Sequence, residues 1–329
     1  MAIPKIIHYC WLSGEPYPSD IKECIDSWHE YMPDYDFMLW DMNSFDVDGV
    51  PYVKQAVSAR KWAFASDYIR LWAIYNYGGI YLDSDIKVLK SFDELLSEKA
   101  FTAFESGGRI AAWIFGGEKS APVFKELLDY YKDRSFVKKD GSLELIPNTI
   151  PTTKILVKHG LRACNELQRL DDITVFTEDY FSPFNPWTKR TVITDNSYAM
   201  HLFKGTWFGD KSDEEFMGRF ETYTDSFIKE KLSGKRFVIF GAGILGHMVR
   251  DYVSGNYPDI IIVAFLVTNN DTGFSDIDGV PIYETGNSSA LDHDIPVFIA
   301  TVPRYHNEII SALDGAGYKD VFAIGMQDA

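Results

Sequence analysis

Asp83-Ser84-Asp85 places two carboxylates one residue apart, and two such groups offer hard oxygen ligands to Mg²⁺ or Mn²⁺. A cation held there can bridge the phosphates of a nucleotide diphosphate. The pattern alone is weak, because D-x-D starts at Asp34, Asp46, Asp83, Asp276 and Asp292, and aspartate is common in turns for backbone reasons. Asp83-Ser84-Asp85 differs by its place. It closes the apolar run Ile80-Tyr81-Leu82, directly after a helical segment and Gly78-Gly79. In open α/β sheets, ligands gather at the carboxyl ends of strands. Upstream, Ser66, Asp67 and Arg70 share one helix, where Asp67 and Arg70 could equally be an i, i+3 surface pair worth ~0.2–0.5 kcal/mol. A second chemical signal is Gly241-x-Gly243-x-x-Gly246, after a strand and before a helix, which fits a phosphate cradle.

The elements that must position these groups follow from periodicity. Lys5–Trp11 reads as a strand, Ser19–Tyr31 as a helix and Tyr35–Trp40 as a strand, a β-α-β start that predicts a parallel sheet. Phe64, Tyr68, Leu71, Trp72 and Tyr75 form one apolar stripe in a helix over 61–77, which Gly78-Gly79 ends. Strands are expected near 100–104, 110–115 and 198–202, and helices over 122–131 and 152–159. A polar, acidic helix from about 213 to 231 leads to Ser233-Gly234, after which Lys235–Phe240 restarts a nucleotide-fold pattern. Strands at 260–267 and 296–300 and a helix over 307–313 complete a small unit, too short for a full six-stranded oxidoreductase fold. The expected division is 1–232 and 233–329, both α/β.

Composition narrows the partners. With 32 basic and 48 acidic residues the net charge is -16, which disfavours nucleic acid and anionic lipid. Cys10, Cys24 and Cys164 show no metal or disulfide spacing and suit a reducing compartment. The N-terminus enters a strand at once, and the longest apolar run, Ile260–Val267, is too short to span a bilayer. A cytoplasmic protein is expected, meeting the inner face of the membrane only peripherally if its acceptor is lipid-linked.

Ile3–Trp11, Ala65-Ser66-Asp67-Tyr68-Ile69-Arg70-Leu71 and Gly78–Asp85, in that order, resemble the DXD-containing sugar-transferase family. That family includes bacterial capsular-polysaccharide transferases and the yeast initiating α-1,6-mannosyltransferase, and is similar more distantly to the glucosylating domains of large clostridial toxins. The resemblance covers roughly residues 1 to 210. It implies a GT-A fold and retaining, Mn²⁺- or Mg²⁺-dependent transfer from a nucleotide sugar to a glycan or lipid-linked glycan, in capsule or surface-polysaccharide synthesis. UDP-hexose is the preferred donor and GDP-mannose the second choice. By the same resemblance, Trp11 stacks on the base, unless it is a core tryptophan. Ser66, Asp67 and Arg70 face the donor sugar, and Tyr81 lies near the diphosphate or is a buried strand residue. Asp83, Asp85 and His201 hold the metal, while Thr206-Trp207 forms the downstream hydroxyl-tryptophan element. Lys204 neutralises phosphate charge or is solvated.

Two stretches depart from the family pattern: Ala111–Pro122 in place of an Asn or GHP-like turn, and Pro147–Thr152, which would face the acceptor. No carboxylate stands out as a covalent nucleophile, so the resemblance implies a front-face route in which the leaving phosphate takes the acceptor's proton. Residues 233–329 resemble the small N-terminal domain of bacterial sugar acyltransferases, with Gly241, Gly243 and Gly246 as an accessory nucleotide site or merely a packing module. The strand before Asn269-Asn270 ends without the acid that would hold an NAD ribose, which counts against an oxidoreductase. A non-catalytic nucleotide-sugar-binding regulator is the remaining alternative, and the intact Asp83, Asp85, His201 and Trp207 count against it.

Overall fold

The computed structural model describes residues 2–105, 108–186, 189–203, 216 and 218–323. In the first unit, β1 (Ile6–Cys10), α1 (Ser19–Tyr31) and β2 (Asp36–Trp40) form the expected β-α-β start. After α2 (Pro51–Ser58) and α3 (Trp62–Tyr77), β3 (Gly79–Leu82) enters the sheet beside β1, and both β2 and β3 run parallel to it. β4 (Ile86–Val88) leaves that sheet, which continues through β5 (Ala100–Glu105), β6 (Arg109–Ile110) and β7 (Ile114–Gly117). α4 (Pro122–Asp129) and α5 (Thr149–Lys158) cover it, and β8 (Gln168–Arg169) and β9 (Thr174–Phe176) complete it. The order is β2-β1-β3-β7-β5-β9-β8, with β6 paired to β5 and with β7 antiparallel to both β3 and β5. This is a mixed α/β sheet with a parallel start, so the expected α/β class holds.

Two glycines make the α3–β3 junction possible. Gly78 sits at φ +71, and a Cβ there would lie 2.8 Å from the Lys119 nitrogen. At Gly79, a Cβ would meet the Ile6 carbonyl oxygen at 2.7 Å, so only glycine lets β3 start this close to β1. His8 locks the same corner from inside the core. Trp40 donates its indole N–H to His8 Nδ1 at 3.2 Å, so Nε2 carries the proton and donates to the Gly78 carbonyl at 2.8 Å. Burial holds this imidazole neutral, its pKa lowered to about 4. The fully buried Trp28 donates in turn to the Ile86 carbonyl at 2.6 Å, fixing where β4 departs.

β10 (Ala199–His201) returns to pair antiparallel with β4, setting His201 opposite Ile86. The leader expected as a polar, acidic helix over 213–231 is, among the described residues, a short helix Phe220–Ser226 and a wide π turn Phe227–Lys231. It is not polar all round. Phe220, Thr224 and Phe227 are buried, and Phe227 stacks on Phe298 at 4.4 Å and edges Phe237 at 5.2 Å.

The second unit holds β11 (Arg236–Phe240), a helix Ile244–Asn256, β12 (Ile261–Val267), β13 (Asp276–Ile277), β14 (Val280–Glu284), β15 (Val297–Ile299), a helix His306–Gly315 and β16 (Val321–Ala323). Its sheet has six strands, in the order β13-β14-β12-β11-β15-β16, but only five are parallel, short of a full six-stranded oxidoreductase fold. The economy comes from length: β13 is a two-residue antiparallel edge and β15 and β16 have three residues each. The five parallel strands take the doubly wound order, with the switch point between β11 and β15. One apolar cluster draws on both units, joining Phe64, Leu156 and Ala163 to Phe227, Phe237, Met248 and Phe298. Two further clusters are private, one to each unit. Among the described residues, no helix is long and apolar enough to cross a membrane.

Candidate active site

α3 presents Ser66, Asp67 and Arg70 on a buried face toward the end of β3, so Asp67 and Arg70 are not the surface pair their spacing also allowed. The Arg70 guanidinium is the hub. It contacts Asp67 Oδ1 and Asp83 Oδ1, each at 3.1 Å. It also donates to the Ser66 hydroxyl at 3.0 Å and carbonyl at 3.2 Å, and to the Ala112 carbonyl. Its planar fork serves several acceptors at once, which a lysine could not do. The Tyr81 ring lies under the guanidinium at 4.8 Å, and its hydroxyl donates to Asp83 Oδ1 at 2.8 Å. Tyr81 is thus a buried strand residue whose hydroxyl also fixes the first aspartate of the motif.

Asp83, Asp85 and His201 converge from the β3 end and from β10. One ligand atom of each lies within 4.8 Å of the others, and no other such metal-ligating group occurs among the described residues. His201 Nε2 stands 3.2 Å from Asp85 Oδ1, while its Nδ1 is buried without a hydrogen-bond partner. Two carboxylates and one imidazole suit Mn²⁺ or Mg²⁺, the nitrogen favouring the former. The clustering of one imidazole nitrogen with two carboxylate oxygens fits such an ion. Burial pushes the Asp83 carboxyl up in pKa, against the pull of Arg70. Burial also lifts Asp67 to about 7, Arg70 again opposing and Asp83 adding to the rise. For His201, burial works downward, but Asp85, Asp83 and Glu105 outweigh it and the imidazole is raised.

The wall behind His201 was not read from the sequence. Trp113 packs against the imidazole at 4.6 Å, and Phe203, held at φ +50, packs at 4.0 Å. The Trp113 indole donates to Glu105 Oε2 at 3.0 Å, and burial raises that carboxyl to about 7. Only a fold that brings the β5 end beside β10 reveals this pair, since neither residue sits in a motif. Trp11, at the end of β1, is half-buried rather than core. Its ring meets Tyr17 edge-on at 4.8 Å, and its indole N–H donates to the Glu15 carbonyl at 2.6 Å. Lys204, Thr206 and Trp207 lie outside the described residues. The other D-x-D aspartates have local roles: Asp46 and Asp276 cap the Gly49 and Gly279 turns, Asp292 accepts from the Asp294 N–H, and Asp34 pairs with Lys5.

With this geometry in place, residues 18–102 match the family described as glycosyltransferase sugar-binding region containing DXD motif. Inositol phosphoceramide mannosyltransferase 3 of Schizosaccharomyces pombe is 31% identical over 134 residues, covering 39% of this chain and 36% of that protein. Mannosyl phosphorylinositol ceramide synthase CSH1 of Saccharomyces cerevisiae is 27% identical over 41% of this chain and 38% of its own. The chain thus spans little more than a third of either yeast relative. An uncharacterized glycosyltransferase, L373, of Acanthamoeba polyphaga mimivirus is 23% identical over 62% of this chain and 84% of that protein. Among solved structures, the PaToxG glycosyltransferase aligns with a TM-score of 0.34 at 19% identity, over 48% of this chain and 73% of its own. That likeness is too loose to bear on the fold. The DXD region contains Ser66, Asp67, Arg70, Asp83 and Asp85, whereas His201 and Trp113 lie beyond it.

The glycine turn of the second unit is built differently. Gly241 sits at φ +110, and a Cβ there would lie 2.8 Å from the Ala300 carbonyl; one at Gly246 would lie 1.9 Å from the Gly241 oxygen. These two are therefore required by the turn and by helix packing. Gly243 has open space, its nearest neighbour being an Arg109 nitrogen 3.9 Å from a would-be Cβ. At this switch point, Arg109 Nε and the Thr301 hydroxyl are buried without partners. After β12, Asn270 donates its backbone N–H to Glu284 at 2.9 Å, an acid from the neighbouring strand.

Proposed function

We infer that the chain is a metal-dependent, retaining glycosyltransferase that moves a hexose from a nucleotide sugar to a glycan or lipid-linked glycan. The observation that carries this reading is the Arg70 hub, which holds Asp67 and Asp83 beside Asp85 and His201 at one strand end. A bound Mn²⁺ or Mg²⁺ would supply Lewis-acid stabilisation of the departing nucleoside diphosphate. Asp83, Asp85 and His201 would hold it. Asp67, kept in place by Arg70, accepts hydrogen bonds from donor-sugar hydroxyls, and its carboxylate form is favoured by that same guanidinium. Trp11 offers an indole face to the base at the β1 end; by the family resemblance, Lys204 neutralises phosphate charge and Thr206-Trp207 supplies the hydroxyl-tryptophan element of the donor site. The acceptor oxygen bonds to the anomeric carbon on the face from which the diphosphate departs, the bond from that carbon to the phosphate oxygen breaks, and this oxygen takes the acceptor's proton, so no covalent sugar ester is needed.

The names of the yeast relatives favour mannose as the transferred sugar and hence GDP-mannose as donor, while the sequence resemblance to capsular-polysaccharide transferases favours UDP-hexose. The setting follows from the second of these: synthesis of capsule or another surface polysaccharide in the cytoplasm, at the inner face of the membrane. Gly241, Gly243 and Gly246 form an accessory nucleotide or nucleotide-sugar site in a unit running from about residue 233 onward. A regulator that binds nucleotide sugars without turning them over is disfavoured by the complete set of charged groups at the strand end.

A panel of UDP-glucose, UDP-galactose and GDP-mannose with and without Mn²⁺, read as donor hydrolysis, tests the reading. Asp85→Asn should leave the melting temperature close to native but reduce metal-dependent hydrolysis by at least ~100-fold, since an amide is a poorer ligand. Native turnover in that variant would end the metal assignment.

A further inference from the structure

Besides their shared apolar cluster, the two units touch at the glycine turn. The turn between β5 and β6 lies against the first turn of the helix Ile244–Asn256, where a Cβ at Gly108 would come within 2.4 Å of His247 Cε1. From β6, Arg109 reaches across the seam, and its Nη2 stands 3.9 Å from where a Cβ at Gly243 would be.

The groups gathered here are donors without acceptors. Arg109 makes no ion pair and no side-chain hydrogen bond among the described residues. No side chain caps the helix, and no acid stands in its first turn. Its first backbone bond runs from the His247 N–H to the Gly243 carbonyl at 3.0 Å, which leaves the amides of Ile244, Leu245 and Gly246 unclaimed among the described residues. His247 is only 6% exposed, yet no hydrogen bond among the described residues reaches its ring. Burial, with Arg250 and Arg109, lowers its pKa to about 3, so the imidazole is neutral and keeps one N–H to donate.

The neighbouring carboxylates do not answer these donors. Asp251 and Asp278 are both spent on Arg250, and Glu105, opposite Arg109 in the hairpin, accepts from Trp113. In a chain of net charge -16, an unpaired guanidinium beside the positive end of a helix is not there for want of acids. An anion between them removes the repulsion. There is room for one. Gly243 sits at φ -92 and ψ -168, extended backbone that any residue adopts, so the empty space rather than the conformation sets it apart. A phosphate group, with three acceptor oxygens, suits donors that converge from both units.

We propose that this seam is a phosphate site built by both units, in which Arg109 and the glycine turn grip a phosphate of a nucleotide and so clamp the β5–β6 hairpin to the second unit. The proposal rests on the reading of Gly241, Gly243 and Gly246 as an accessory nucleotide site, and adds that this site is incomplete without the first unit.

The test uses the full chain in EDTA, which silences metal-dependent binding, and calorimetry with inorganic phosphate, UDP and GDP. The native protein should bind at least one nucleoside diphosphate, and its melting temperature should rise with that ligand. Arg109→Gln should weaken the binding about ten- to hundredfold, the effect of losing a charged hydrogen-bonding partner. Gly243→Val fills the phosphate space without backbone strain and should abolish it. Both variants should melt close to native when no ligand is present; if Gly243→Val melts early, Arg109→Gln alone decides. Binding that Gly243→Val removes but Arg109→Gln leaves at native strength keeps the accessory site and overturns the clamp. No binding by the native protein, or binding untouched by Gly243→Val, overturns both. Phosphate bound as tightly as UDP and GDP overturns the nucleotide as occupant, whereas much weaker phosphate binding supports it.

Discussion

The β3 end of the first unit and the glycine turn of the second occupy equivalent places, each at the carboxyl end of a parallel strand, yet their chemistry is opposite. At β3 the groups are charged, buried and bound to one another through Arg70, with one ring nitrogen left over. At the glycine turn the open space beside Gly243 meets an arginine side chain, and the Thr301 hydroxyl and Arg109 Nε are buried without partners among the described residues. The first arrangement suits a cation carrying its own anionic ligand, and the second suits an anion or a sugar directly. Equivalent topology therefore says where a ligand sits, while the side chains say which kind.

The sharpest way to break the comparison is to separate the units. Each has a private apolar cluster, which argues that residues 1–232 fold alone and keep metal-dependent donor hydrolysis. The shared cluster argues that they do so with a loss of stability, because Phe227 would lose Phe237, Phe298 and Phe322. We expect a melting temperature lower by roughly 5–10 °C and hydrolysis within a few-fold of native. An unfolded fragment, by circular dichroism, would make the shared cluster the decisive core and the two strand ends parts of one unit.

How much of this was legible in the sequence depended on whether the signal was local. The Asp83 motif, α3 and the Gly78-Gly79 stop are written in adjacent residues with strong periodicity, and the observed elements agree to within a residue. Strands such as β9, β13 and β16 were not foreseen, since two or three residues carry no period and are held by their neighbours in the sheet. The Glu105–Trp113–His201 wall could not be read either. Its members stand up to 96 residues apart in number, and only the antiparallel returns of β7 and β10 bring them together. The helix over 213–231 was misjudged as polar because its few aromatic residues are spaced as one narrow face, which the second sheet covers.

A finer test asks whether nucleotides distinguish the two strand ends. Trp11→Ala should weaken Mn²⁺-dependent UDP or GDP binding by ~1–3 kcal/mol, the range for base–aromatic stacking. Any metal-independent binding, assigned to the glycine turn, should be unchanged. Calorimetry with and without Mn²⁺ reads both. Unaltered Mn²⁺-dependent affinity would leave the half-buried ring without a role in the site.

The smallest expected effect concerns protons rather than ligands, and it separates the regions by their titration. The buried Glu105 carboxyl is raised from 4.5 to about 7, chiefly by burial, with Arg109 and the Trp113 N–H opposing. Between those values the folded chain holds a proton that the unfolded chain has released. Stability from this group therefore grows as pH falls from 7 toward 4.5 and is absent well above 7. Glu105→Gln keeps an acceptor for the Trp113 indole but cannot titrate. In metal-free buffer, the native melting temperature should gain on that of the variant by a few degrees between about pH 8 and about pH 5.5. Asp67 shifts in the same direction but is present in both proteins, so its contribution cancels. A difference that stays flat across this range would mean that Glu105 keeps its charge when folded. The wall behind His201 would then carry a full negative charge at every pH, adding a third carboxylate's field to the cation site.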